Sequence, residues 1–190
     1  MIRSFIALEL KNQDTINNIV NFGTRLKSNQ PKIKLVEPEN LHLTVKFLGD
    51  IHESQAPKIY AILKKEINEN LFQGKEFVYK LKGIGQFRKY SVIWIKLIGD
   101  IHFLQTVKDK MEELLYEQLK IKKDKRRKFT AHLTIGRLKS KRINYKTFEG
   151  FKKLINENKN LEFGNFTINQ VKLKKSVLTQ QGPIYTDLVF

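Results

Sequence analysis

His42-Leu43-Thr44-Val45 and His132-Leu133-Thr134-Ile135 repeat one pattern, His-Leu-Thr-aliphatic, about half a chain apart. Two of the protein's four histidines open it. Side chains alternate faces along a strand, so His and Thr point one way while Leu and the aliphatic residue point the other. Each copy is therefore a strand with an imidazole and a hydroxyl on one face and an apolar anchor behind it. A single His-x-Thr is ordinary in a sheet, where Thr serves for its β propensity. A second copy turns the pair into one constellation and asks for a fold that supplies the same strand twice.

The flanking periodicities agree with such a duplication. Ile2–Glu9 reads as a strand, and Asp14 to Ser28 as a helix with Ile16, Ile19, Val20 and Leu26 at helical spacing. Leu41–Leu48 carries the first motif. Ser54–Asn68 follows as a helix with Ser54 as N-cap, then strands over Glu76–Leu81 and Ser91–Leu97 about a Gly83-Ile84-Gly85 turn. Asp100 is placed to cap a helix striped by Leu104, Val107, Met111, Leu114 and Leu115. The second motif lies in Ala131–Leu138, followed by a helix over Tyr145–Asn158 and strands near Phe163–Phe166, Asn169–Leu178 and Ile184–Phe190. Each half thus holds strand, helix, motif strand, helix and further strands. The expected fold is α+β: a bilobal pseudo-twofold duplication, each lobe a mostly antiparallel sheet with helices outside and the motif strands facing a central cleft. No linker divides the chain, so residues 1–190 are expected to form one domain of two intertwined lobes.

Two histidines suit proton transfer at phosphorus. Imidazole titrates near neutrality, so two rings can hold opposite protonation states in one site. One takes a proton from water and the other supplies one to the leaving oxygen, while Thr44 and Thr134 donate to non-bridging oxygens where charge builds. No cysteine, His-Glu-x-x-His or Asp-rich cluster offers a metal set, so neither metal nor cofactor is expected. His52 and His102 lack a following Thr and read as surface residues. Gly83-Ile84-Gly85 lacks the Gly-Lys-Ser/Thr of a phosphate loop.

Charge points the same way. Thirty-six Lys and Arg against nineteen Asp and Glu give +17, which favours polyanions, nucleic acid foremost. Lys120 to Lys128 holds seven cations in nine residues directly before the second motif. It reads as a solvated loop, and its place suggests steering of a phosphodiester chain toward the histidines. The absence of cysteine fits a reducing cytoplasm, and no run is long enough to span a membrane.

These residues resemble the two-histidine phosphoesterase superfamily, specifically the RNA 2′,3′-cyclic phosphodiesterases once described as 2′-5′ RNA ligases. Arg3-Ser4-Phe5-Ile6-Ala7-Leu8 is similar to the family's opening strand. Asn40 to Gly49 matches its first signature, Phe129 to Leu138 its second, and Gly182-Pro183-Ile184-Tyr185 the segment before its last strand. Ala131 and Gly136 stand where the second signature commonly has Pro and Ala. The resemblance implies hydrolysis of a terminal 2′,3′-cyclic phosphate on RNA, or of a cyclic nucleotide, to a 2′-phosphate. It makes His42 the general acid, His132 the general base, and Thr44 and Thr134 the phosphate holders.

The resemblance also makes Arg137 a substrate contact. Strict alternation from His132 puts Arg137 on the wrong face, so Gly136 must bend or end the strand. Lys46 shares the parity of His42 and is a further candidate, while Phe47 reads as core or as a substrate contact. Reversible 2′-5′ end joining, and a non-catalytic nucleotide or RNA-binding module, are the alternative functions. A monomer is the default expectation.

Overall fold

The computed structural model describes residues 1–125, 128–180 and 182–190. Its elements run β1 (Ile2–Glu9), α1 (Gln13–Asn29), β2 (Lys34–Leu35), β3 (His42–Ile51), α2 (Ala56–Ile62), β4 (Phe77–Phe87) and β5 (Val92–Ile98). Then come α3 (Ile101–Leu119), β6 (His132–Arg137), α4 (Phe148–Glu157), β7 (Glu162–Ile168), β8 (Lys172–Leu178) and β9 (Pro183–Asp187). Asn12 caps α1 by accepting the Thr15 N–H, and Asp100 caps α3 by accepting the Phe103 N–H, at 2.9 and 3.0 Å. Among the described residues no helix is long and apolar enough to cross a membrane.

Two antiparallel sheets form, ordered β3-β1-β8-β9 and β2-β6-β5-β4-β7, giving the expected α+β fold. The halves of the chain are interleaved. β4 leaves the first half to pair with β5, and β8 leaves the second half to pair with β1. The helices follow: α1 packs with α4, β6 and β7 behind the second sheet, while α2 and α3 pack together behind the first. Leu8, Leu43, Leu81, Ile95, Leu115, Leu133 and Phe166 are among the side chains wholly buried between sheets and helices. Burial of such side chains, each about 1.5–3 kcal/mol, drives the assembly.

Local details depart from the expected ones. The helix after β3 does not start on Ser54. His52 accepts the Ser54 N–H and caps a 3-10 turn (Glu53–Gln55), and α2 then loosens into a π-helical stretch (Leu63–Phe72). Gly83-Ile84-Gly85 is no turn. It lies inside β4, where the pairing with β5 slips between Leu81 and Ile84 and Gly83 takes φ +87°, with the Lys159 carbonyl too close to leave room for a Cβ. The chain reverses instead through Arg88, Lys89 and Tyr90, all with positive φ. A helix over Tyr145–Asn158 shortens to a 3-10 turn (Tyr145–Thr147) and α4.

Both motif strands carry a bulge at the same place. β1 pairs Lys46 with Ile6 but Thr44 with Ala7, leaving Val45 extra. β5 pairs Gly136 with Ile93 but Thr134 with Trp94, leaving Ile135 extra. The extra residue reverses the alternation beyond it. Lys46 therefore turns inward rather than sharing the face of His42, and is only 2% exposed. Phe47, five positions after His42, turns outward and is 71% exposed rather than core. Arg137 holds the equivalent position after His132. The bulge at Ile135, not a bend at Gly136, brings it to the motif face, and Gly136 faces Ile33 and Leu35 inside.

Candidate active site

Each motif histidine is fixed by its own backbone. His42 Nδ1 lies 2.6 Å from the Asn40 carbonyl oxygen, and His132 Nδ1 lies 2.7 Å from that of Thr130, two residues before the ring in both cases. A carbonyl only accepts, so Nδ1 carries the proton in each ring and Nε2 is the nitrogen left for chemistry. Thr44 Oγ1 sits 3.1 Å from His42 Nε2. Thr134 holds the equivalent position two residues after His132 and stands across the ladder from Trp94. Both rings are half-buried.

Arg137 links the two copies. Its positive charge disfavours the protonated form of both His42 and His132, and it acts on the Tyr185 hydroxyl as well. It is exposed on the motif face, and β3 and β6 lie in contact. Burial is the main force holding both histidines below their ordinary value, and the Asn40 and Thr130 carbonyls oppose it. At His42, Lys174 adds to the lowering and Glu9 works against it.

Aromatic rings frame each histidine. Phe5 and Tyr185 approach His42 at 5.0 and 5.2 Å between centroids, and Tyr185 also meets Phe5 edge-on at 4.9 Å. Phe87 and Trp94 approach His132 at 5.1 and 6.0 Å. Sequence reasoning passed over these four as site residues. Tyr185 was within reach through the Gly-Pro-Ile-Tyr segment, whereas Phe87 and Trp94 join the site only through strand pairing.

Lys46 belongs elsewhere. Its Nζ donates to Glu112 Oε1 at 2.8 Å, to the Lys122 carbonyl at 3.0 Å and to Asp124 Oδ1 at 3.0 Å, and Lys108 lies 2.9 Å from Glu112. The cluster ties the back of the first motif strand to α3 and to the basic run. Lys122, Lys123, Lys125 and Lys128 of that run are exposed, whereas Arg126 and Arg127 lie outside the described residues. His52 and His102 are exposed and away from the motifs. Among the described residues, no three His, Cys, Asp or Glu side chains gather as a metal site requires.

Comparison with known proteins places this geometry in a family. The model of the AKAP7 2'5' RNA ligase-like domain matches residues 4–186. The RNA 2′,3′-cyclic phosphodiesterase of Methanothermobacter thermautotrophicus is 33% identical over 190 residues, covering 98% of this chain and 96% of that protein. The Methanocaldococcus jannaschii protein of the same name is 34% identical, covering 97% and 96%. Apo LigT of E. coli superposes with a TM-score of 0.71 at 17% identity, over 99% of this chain and 95% of that one, a likeness of fold. With the family model spanning nearly its whole length and two curated relatives above three-tenths identity, the chain belongs to the AKAP7 2'5' RNA ligase-like family of two-histidine phosphoesterases.

Proposed function

We propose that the protein hydrolyses the terminal 2′,3′-cyclic phosphate of RNA to a 2′-phosphate, a reading supported by relatives that bear the name RNA 2′,3′-cyclic phosphodiesterase. The observation that carries this reading is the pair of imidazoles. Each is held by a carbonyl on Nδ1 that leaves Nε2 for chemistry, a threonine lies two residues on in both motifs, and both feel one arginine. His132 Nε2 takes a proton from water as the water oxygen bonds to phosphorus. The phosphorus–O3′ bond breaks, and His42, protonated on both nitrogens, gives its Nε2 proton to O3′. The Asn40 carbonyl, accepting from Nδ1, stabilises the charged form of His42 that this role needs. Thr44, Thr134 and Arg137 supply donors to the non-bridging oxygens, where charge grows as water adds. Every proton is accounted for without a metal. The exposed lysines before β6 raise the local concentration of the polyanion.

The test is hydrolysis of an RNA ending in a 2′,3′-cyclic phosphate, with the phosphate position on the product identified. A 2′-phosphate product, a rate unchanged by EDTA, and losses of about 10²–10⁴-fold in His42→Ala and His132→Ala are expected. A 3′-phosphate product, or full activity in either folded variant, overturns the reading.

A further inference from the structure

The two cleft faces differ in charge although they are built alike. Paired residues in a ladder share a face, so the register identifies what surrounds each histidine. On the first sheet, Glu9 stands opposite His42, Phe5 pairs with Lys174 and Ala7 with Lys172, and Asp187 pairs with Lys174. Glu9 and Asp187 each pair with both Lys172 and Lys174, at 2.7 Å for Lys172–Glu9 and 2.6 Å for Lys172–Asp187. The two lysines of this face are thus neutralised in place.

On the second sheet the position opposite His132 is Lys96 instead of a carboxylate. Ile98 and Lys80 pair beyond it, followed by Asn165 of β7, and Lys82 lies at the edge 2.8 Å from Glu162. Lys96 and Lys80 are exposed, and neither enters an ion pair within 4 Å among the described residues. Val78 and Ile98 are open to solvent on the same face. Trp94 lies flat against Gly85, where its ring leaves no room for a Cβ, and Phe87 packs on it at 5.0 Å. Across the strands from His132 the face reads Lys96, then Lys80 and the polar edge, with Trp94 and Phe87 beside the histidine.

We propose that the RNA leading into the cyclic phosphate lies along this open face of the second sheet, past Trp94 and over Lys96 and Lys80, and not over the first sheet. This extends the catalytic reading above by naming a polynucleotide body as the ligand and giving it a path. Phosphates need unpaired cations at strand spacing, and bases need a flat apolar surface between them. The second face offers both in Lys96, Lys80 and Trp94 beside His132, whereas on the first Arg3 near Tyr185 stands beyond the neutralised lysines.

The test is binding, so it does not depend on turnover. The probe is an RNA of about ten nucleotides ending in a 2′-phosphate, with the mononucleoside 2′-phosphate as reference. K80Q and K96Q combined are expected to weaken the RNA by about tenfold relative to the mononucleotide, and to flatten the salt slope by about 1.4, since each single-strand phosphate contact contributes roughly 0.7. K58Q and K65Q, the same charge change on helical segments away from this face, are expected to leave that ratio alone. Equal losses in both sets, or no loss in the first, overturn the path. So does wild-type binding to anionic phospholipid vesicles that the first set abolishes while RNA affinity stays intact. Failure of hydrolysis alongside this binding pattern would strike the catalytic reading and leave the path standing.

Discussion

Glu9 is the residue whose charge most directly breaks the symmetry between the histidines. The duplication puts Glu9 across from His42 and Lys96 across from His132, so the two imidazoles meet opposite surroundings in the same backbone frame. Glu9 favours protonated His42, and its own carboxyl is held below the usual range by Lys172 and Lys174, which outweigh the effect of its burial. Both histidines sit below the ordinary imidazole value of 6.5, chiefly through burial. The sign follows from the roles. A base must be neutral, so a lowered His132 carries activity further into acid. An acid must be protonated, so a lowered His42 cuts the alkaline side. The kcat/KM optimum therefore falls on the acid side of 6.5. Glu9→Gln removes a carboxylate and leaves two ammonium groups beside His42, so its alkaline limb moves further toward acid while the His132 limb stays. A pH profile in which both limbs move together, or neither does, excludes Glu9 as the tuning group.

The motif strands were legible in the sequence as strands, and their bulges were not. His-x-Thr spacing fixes which residues share a face only while alternation holds. Val45 and Ile135 are aliphatic, as a regular strand would also have them, so nothing marks them as the extra residue. That is why parity alone makes Lys46 a candidate on the face of His42, and why it asks Arg137 for a break one residue too late. β2 is too short to have a pattern, and Gly83 imitates a turn because a bulge needs the same positive φ. The inward turn of Lys46 has an energetic consequence. With Lys108, Glu112 and Asp124 it forms a balanced cluster of two cations and two carboxylates, mostly out of water. Removing one member strands a buried charge. Lys46→Ala is expected to lower stability by about 3–5 kcal/mol in urea unfolding, and Lys46→Met with Glu112→Leu to recover most of it, because Lys108 and Asp124 still pair. A loss below about 1 kcal/mol would place the cluster in contact with solvent.

At the scale of the molecule, the interleaving of halves decides what can fold alone. The duplicated pattern of strand, helix, motif strand and helix invited a picture of two lobes, and each half does supply one motif strand. Yet β4 and β8 cross into the opposite sheets, and α1 and α3 pack behind the sheet of the other half. Hydrophobic periodicity records which face of an element is buried but not which partner buries it, so the expectation of intertwined lobes could not name β4 and β8 as the strands exchanged. Its consequence is that neither sheet is complete without residues from both ends of the chain, and we expect residues 1–190 to unfold as one unit. Trp94 is the single tryptophan and lies in the second sheet, so its fluorescence reports that sheet, while far-UV circular dichroism reports both. The two signals should trace one urea transition with a common midpoint and slope. Two separable lobes would instead give a fluorescence midpoint displaced from the dichroism midpoint. A fragment ending near Tyr90 would then keep the first sheet's structure, whereas interleaving denies it β8 and β9 and leaves β1 with an open edge.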